Sequence, residues 1–459
     1  MFNNLNKYRA RLALISEQNE KITYQKLITE SNKINKNLEK KSLILLICNN
    51  SVSSIYGYLS FLKNNHTTII ADDSFNINYL DNIIKIYRPK YIFSKKKFFF
   101  EKKSLKIIYN INDFSLFENS KFKKEKINKK NYILLSTSGS TSNPKFVRIS
   151  KQNLLDNTKK IINYLNISPN HTTITTMPMA YSYGLSIINT HLEKGAKILI
   201  NNHTIFDKIF WNKLKVHKVN SFGGVPQFYE YLEKIKFEKF KLNNLKYLTQ
   251  AGGKLQNSQF VYMNKICKLK KIKFYTMYGQ TEASPRMSYL SPKKIIIKKG
   301  SIGKPLKNTH FVLIDENKKR ISKPFVNGEL VFKGNNVSLG YANNIKDLKK
   351  GDENNKILYT GDIAYKDKDN YYYIVGRKNK FIKLYGIRFN LEDIEKVLAN
   401  HKINAICISE NDKLFIRLRN NFNEMKIKKI LNQNFKIRHT EVFISNKNSE
   451  KISTNFKSL

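Results

Sequence analysis

Tyr132-Ile133-Leu134-Leu135-Ser136-Thr137-Ser138-Gly139-Ser140-Thr141-Ser142-Asn143-Pro144-Lys145 runs from a short apolar stretch into a loop of hydroxyls, one glycine and a lysine. Tyr132–Leu135 reads as a buried strand. The loop after it offers backbone N–H groups, hydroxyl donors and a cation, which is equipment for cradling phosphates. It is not the standard phosphate loop. G-x-x-x-x-G-K-[ST] would need Gly at 144 and Ser or Thr at 146, where Pro144 and Phe146 stand. Taken alone, the nine residues 137–145 fit a polar surface loop better than a phosphate site.

Outward from this loop, apolar runs alternate with amphipathic stretches. Ser42–Cys48, Thr67–Ala71, Tyr91–Phe93 and Lys106–Tyr109 have the texture of strands, and Tyr24–Leu38 and Ser54–Lys63 the spacing of helices. Such alternation predicts an α/β body with a largely parallel, doubly wound sheet. Ser94–Lys130, rich in Lys, Asn and Phe, reads as a loop-rich connection. From about Gly300 the pattern changes to short strands and turns, as in Phe311–Ile314, Gly328–Phe332 and Tyr371–Val375, which predicts a small β-rich subdomain over about 300–378. Beyond Arg377 a compact α+β module is expected. Its helix starts near Asn390, a cap followed by Glu392 and Asp393 in the first turn. The expected domains are 1–378 and 379–459.

Composition bounds the function. Of 459 residues, 83 are Lys or Arg and 35 Asp or Glu, a net charge of +48. Such a charge raises a nucleic-acid reading. However, Lys, Asn, Ile, Tyr and Phe are over-used together and share A/T-rich codons, and the lysines are dispersed. No nucleic-acid partner is therefore expected, although the field favours anionic substrates. A hydrophobic content of 41% excludes a largely disordered chain. Cys48, Cys267 and Cys407 form no C-x-x-C pair, which argues against a disulfide scaffold or cysteine zinc site and fits a reducing cytoplasm. The opening Met1–Tyr8 lacks a signal-peptide core, and Leu43–Cys48 is far too short to span a membrane.

Further blocks follow the loop in a fixed order: Pro178-Met179-Ala180-Tyr181-Ser182-Tyr183-Gly184-Leu185, Gly224-Val225-Pro226, Ala251-Gly252-Gly253, Tyr278-Gly279-Gln280-Thr281-Glu282, Thr360-Gly361-Asp362, Gly376-Arg377 and Lys383-x-x-Gly386-x-Arg388. In these blocks the chain resembles the adenylate-forming superfamily of acyl-CoA synthetases, peptide-synthetase adenylation domains and firefly luciferases. The resemblance extends from about residue 12 to the C-terminus. It implies ATP-dependent activation of a carboxylic acid to an acyl-adenylate with release of pyrophosphate. Transfer to a thiol would follow, either coenzyme A or the phosphopantetheine arm of an acyl-carrier protein. Each block alone is weak; in this order, coincidence is improbable.

Residue by residue, the resemblance implies that Thr137, Ser138, Gly139, Ser140, Thr141 and Lys145 hold the β- and γ-phosphates of ATP. Thr281 would donate to the α-phosphate and Glu282 would bind Mg²⁺, a cation that prefers oxygen ligands. Asp362 would accept from the ribose hydroxyls, with Arg377 helping to fix the ribose. Tyr278, Gly279 and Gln280 would border the nucleotide, with Gly252 and Gly253 flanking the adenine. Tyr181, Tyr183, Gly184 and Gly224 would shape the acyl pocket, and Arg388 would sit near the phosphates. Lys451 is the implied catalytic lysine, with Lys457 as runner-up. The small C-terminal domain would be mobile, hinged at Asn379, with Lys383 and Gly386 on the thiol-acceptor side.

The chain departs from the family pattern at several positions. Ser142 replaces a Gly, Tyr181 a frequent His, Asn379 an Asp or Lys, and Glu450 a Gly. The Met179–Leu185 segment lacks the Asp that pairs with an α-amino group, which favours an acid without an ammonium. With Lys451 so near the last residue, no fused carrier is expected. A stand-alone amino-acid adenylation domain, a degenerate non-catalytic relative and a basic nucleic-acid-binding protein remain open at this point.

Overall fold

The computed structural model describes the chain apart from residues 97–103, 123, 137–143, 379–380, 386, 411–412, 419–421 and 446–459. Two compact units result: Met1–Ser136 with Pro144–Val375, and a second that begins at Gly376, slightly before the expected boundary.

The first unit is built on two large sheets. One has eight strands, in the order Tyr341–Ala342, Phe146–Ser150, Asn131–Ser136, Thr67–Asp72, Leu43–Cys48, Tyr91–Lys95, Phe114–Asn119 and Leu105–Ile111. Its four middle strands are parallel. Leu43–Cys48 is buried at every position, as a strand covered on both faces requires. Ser51 caps the helix Val52–Lys63 by accepting from the Ser54 amide, and Ser150 forms a capping box with Asn153 ahead of Lys151–Leu165.

The expected loop at Ser94–Lys130 is corrected in part. Leu105–Ile111 and Phe114–Asn119 form a hairpin on the sheet edge, turned through Asn112 at a φ of 50°. Phe114, Leu116 and Phe117 pack into the core. The polar neighbours hid this strand, because the turn is Asn-Asp rather than the stronger Asn-Gly signal.

The second sheet has nine strands and a parallel centre running from Leu12–Ile15 through Lys197–Leu199, Thr172–Ile174, Ser221–Gly224 and Tyr247–Gln250 to Lys273–Gly279. Arg286–Leu290 and Lys304–Pro305 add antiparallel strands at one edge. The texture change near Gly300 therefore falls slightly before the end of this sheet, whose last strand is Lys304–Pro305. The β-rich part is a five-stranded sheet of Arg320–Ile321, His310–Ile314, Gly328–Lys333, Ile357–Lys366 and Tyr372–Arg377.

The second unit pairs Phe381–Leu384 with Ile387–Asn390, follows with the helix Leu391–Asn400, and adds a three-stranded sheet and the helix Glu424–Phe435. Ile382, Ile394, Leu398, Ile416 and Leu431 belong to a core of its own. All three cysteines are buried free thiols. Among the described residues, no helix is long and apolar enough to cross a membrane.

Candidate functional site

The strand Lys273–Gly279 carries Tyr278 and Gly279 to its end, where the chain tightens into the turn Thr281–Ala283. Only glycine fits at 279, because a Cβ there would lie 1.8 Å from the Pro285 carbonyl oxygen. Across from it the strand Ile357–Lys366 presents Asp362, which is 2% exposed. The Tyr278 hydroxyl donates to Asp362 Oδ2 at 2.5 Å, and Gln280 Nε2 donates to the same oxygen at 2.9 Å and to the Thr360 carbonyl at 3.0 Å. Two motifs some eighty residues apart are thus tied through one carboxylate. Hydrogen bonds from two side chains fix its orientation.

Thr281 and Glu282 leave the turn in different directions. The Thr281 hydroxyl donates to Ser182 Oγ at 3.1 Å, joining the turn to the first residue of the helix Ser182–Glu193. Gly184 lets that helix start against the preceding loop: a Cβ there would meet the Pro178 carbonyl oxygen at 2.2 Å. Glu282 Oε1 accepts from the Tyr341 hydroxyl at 2.7 Å, and the Glu282 carbonyl accepts from the Ser338 amide at 2.8 Å. The Lys145 ammonium lies 3.8 Å from the centre of the same Tyr341 ring, a cation–π contact. The lysine end of the hydroxyl-rich loop and the Y-G-x-T-E turn therefore meet on one tyrosine.

Among the described residues, no group of three or more His, Cys, Asp or Glu side chains forms a metal cage. Glu282 alone suits Mg²⁺ in its usual mode, where one or two carboxylates share the ion with phosphates and water.

Of the remaining expected residues, Gly252 follows the strand Tyr247–Gln250 with a φ of 90°, and the Gly253 carbonyl accepts from Gln250 Nε2 at 2.9 Å. Tyr183 is buried, its hydroxyl donating to the Thr249 carbonyl at 2.7 Å. Gly224 makes room for the Phe228 ring, which a Cβ would approach to 2.6 Å. Tyr181 precedes the Ser182 helix and is partly exposed. Burial raises the pKa of both tyrosines, while the positive charge of Arg286 pulls them the other way.

Arg377 closes the strand Tyr372–Arg377 and falls in the second unit. Lys383 and Arg388 are backbone register partners on the hairpin of that unit. Thr137, Ser138, Gly139, Ser140, Thr141, Asn379, Gly386 and Lys451 lie outside the described residues. Lys145, Ser182, Tyr278, Tyr341 and Asp362 all reach the consecutive residues Gln280, Thr281 and Glu282 or a partner of theirs. Ser182 and Tyr341 escaped the sequence reading, since nothing local marks a Ser or a Tyr whose partner is so distant in the chain. Arg286 had a faint signal, a cation at the head of the otherwise uncharged strand Arg286–Leu290.

Comparison with known proteins accords with this arrangement. A family model described as AMP-binding enzyme matches residues 1–342, and the chain belongs to that family. It is 28% identical over 287 residues to luciferin 4-monooxygenase of Photuris pensylvanica, covering 61% of this chain and 52% of that one. It is 29% identical over 274 residues to 2-succinylbenzoate–CoA ligase of Bacillus cereus, covering 59% and 55%. The chain thus spans about half the length of the curated relatives it matches. A double-mutant o-succinylbenzoate CoA synthetase of Bacillus subtilis, solved with a product analogue, aligns over 96% of this chain and 94% of its own with a TM-score of 0.76 at 17% identity. A solved form of that synthetase in complex with ATP and magnesium ion aligns with a TM-score of 0.66.

Proposed function

We propose that the protein activates a carboxylic acid with ATP and passes the acyl group to a thiol, coenzyme A or a carrier-bound phosphopantetheine. One observation carries this reading: Gln280, Thr281 and Glu282, consecutive in one turn, tie Asp362 and Tyr278, Ser182, and Tyr341 with Lys145 to the same short segment. A carboxylate oxygen attacks the α-phosphorus, the bond to the bridging oxygen breaks, and pyrophosphate leaves with that electron pair. In the second step the thiol sulfur attacks the acyl carbon, AMP departs, and the thiol proton passes to solvent.

Attack of an anion on an anionic centre is limited by positioning and by charge. Asp362 accepts the ribose hydroxyls and so fixes the α-phosphate near the Thr281 hydroxyl, which donates to it. Lys145 offsets charge on the departing phosphates. Mg²⁺, when held by Glu282, would neutralise phosphate charge as a Lewis acid. In the second unit Arg377 would help fix the ribose, and Lys451 would bridge acyl carboxylate and α-phosphate. Rotation about Asn379 would then bring Lys383 and Gly386 to the thiol side.

The test is incorporation of radiolabelled pyrophosphate into ATP with a panel of carboxylic and amino acids, repeated with coenzyme A to detect a thioester. Acid-dependent exchange supports the reading. ATP binding with no exchange for any acid would favour a non-catalytic relative instead, and exchange with amino acids alone would favour a peptide-synthetase type.

A further inference from the structure

Arg286 is 3% exposed and is not ion-paired with any acid among the described residues. Its guanidinium carbon sits 4.1 Å over the Tyr183 ring, and one Nη reaches Ser186 Oγ at 3.3 Å. Its Nε has no partner. The side chain lines a cavity of about 20 Å³, room for a water or a small polar group rather than an alkyl tail. Two more cavity-lining atoms, His191 Nε2 and the Tyr247 hydroxyl, are also buried without partners. Burial lowers the pKa of His191 to about 4, so that ring stays neutral and Arg286 is the cation here. His191 Nδ1–H donates to the Ile187 carbonyl at 2.8 Å, so its Nε2 is an acceptor that suits the cation; the donors left for an anion are the Arg286 Nε and the Tyr247 hydroxyl.

The position bears on substrate choice. Ser186 follows Ser182 by one helical turn, roughly 6 Å along the axis. Ser182 touches Thr281 and Ser186 touches Arg286, so the cation lies one turn deeper than the proposed α-phosphate donor. Tyr183 and Gly223 form the wall between helix and sheet: a Cβ on Gly223 would meet the Tyr183 hydroxyl at 2.3 Å.

We propose, building on the acid-activating reading above, that Arg286 pairs with a second carboxylate on the substrate and that the enzyme selects short dicarboxylic acids. One carboxylate reacts at the α-phosphorus. The other enters the cavity, accepts from the guanidinium and replaces the missing counter-charge. The same cation repels an α-ammonium, which disfavours amino acids.

The test compares succinate, glutarate and adipate with butyrate, pentanoate and hexanoate in ATP–pyrophosphate exchange, and measures calorimetric binding of the diacids without ATP. Wild type should prefer the diacid of its best pair by about 10²-fold or more in kcat/KM, as expected where a buried polar site is left unpaired by the analogue. Arg286→Met should abolish that preference and spare the monoacid, while Arg286→Lys should retain part of it. Equal use of both series by wild type, or an equal loss of both in Arg286→Met with an unchanged melting temperature, overturns the inference and leaves acid activation standing. No exchange with any acid, together with diacid binding that Arg286→Met removes, overturns acid activation and keeps the anion site. Absence of diacid binding as well as exchange sinks both.

Discussion

Arg148 and Arg286 are both buried guanidinium groups in the first unit, and their surroundings are opposites. Arg148 is 0% exposed and saturated: it donates to the carbonyls of Tyr341, Lys350 and Leu339 and to Glu353 Oε2 at 2.6 Å. It staples the Tyr341 segment to the edge of the eight-stranded sheet. Arg286 has a tyrosine face, the Ser186 and Tyr164 hydroxyls and an Nε without a partner, and no acid among the described residues. A buried charge is costly to desolvate, and full hydrogen bonding offsets that cost. The first arginine is complete within the chain; the second is completed by something else.

The largest effect expected from breaking this contrast is on stability at the saturated site. Arg148→Met should lower unfolding free energy by about 3–5 kcal/mol, read from denaturant midpoints, because Glu353 and three carbonyls lose their partner. The matching change at the open site, Arg286→Met, should leave the midpoint unchanged or raise it, because an uncompensated charge is removed. The Arg286 main chain keeps its bonds from Asn157 and Asn336 in that variant. A large loss of stability there would erase the distinction between the two arginines.

Asp362 lies between the extremes, held by Tyr278 and Gln280 yet assigned a ligand. Asp362→Ala should raise KM for ATP about 10- to 10²-fold, the range for hydrogen bonds to a charged group, with little change in KM for the acid. Tyr341→Phe keeps the ring under Lys145 and deletes the donor to Glu282. It should cost about tenfold or less in exchange rate and shift the magnesium dependence to higher concentration. An unchanged magnesium profile would show that the hydroxyl does not position Glu282.

What could be read from the sequence divides along similar lines. The parallel strands announced themselves as apolar runs, and Y-G-x-T-E and T-G-D are contiguous blocks whose glycines answer a local backbone need, as at Gly279. The strand Phe114–Asn119 was lost among lysines and asparagines, because its buried face shows only against the neighbouring strands. Tyr341 and Ser182 could not be read locally, and Arg286 only as a lone cation on an uncharged strand: their partners stand 59, 99 and 100 positions away. Only tertiary folding creates those pairs.

Radiolabelled pyrophosphate exchange into ATP, with and without a carboxylic acid, tests the central claim most directly. Label should enter ATP only when acid and magnesium are both present, and Glu282→Gln should suppress it. Label entering ATP without acid, or failing to enter with every acid although ATP binds, would contradict activation of an acid at this site.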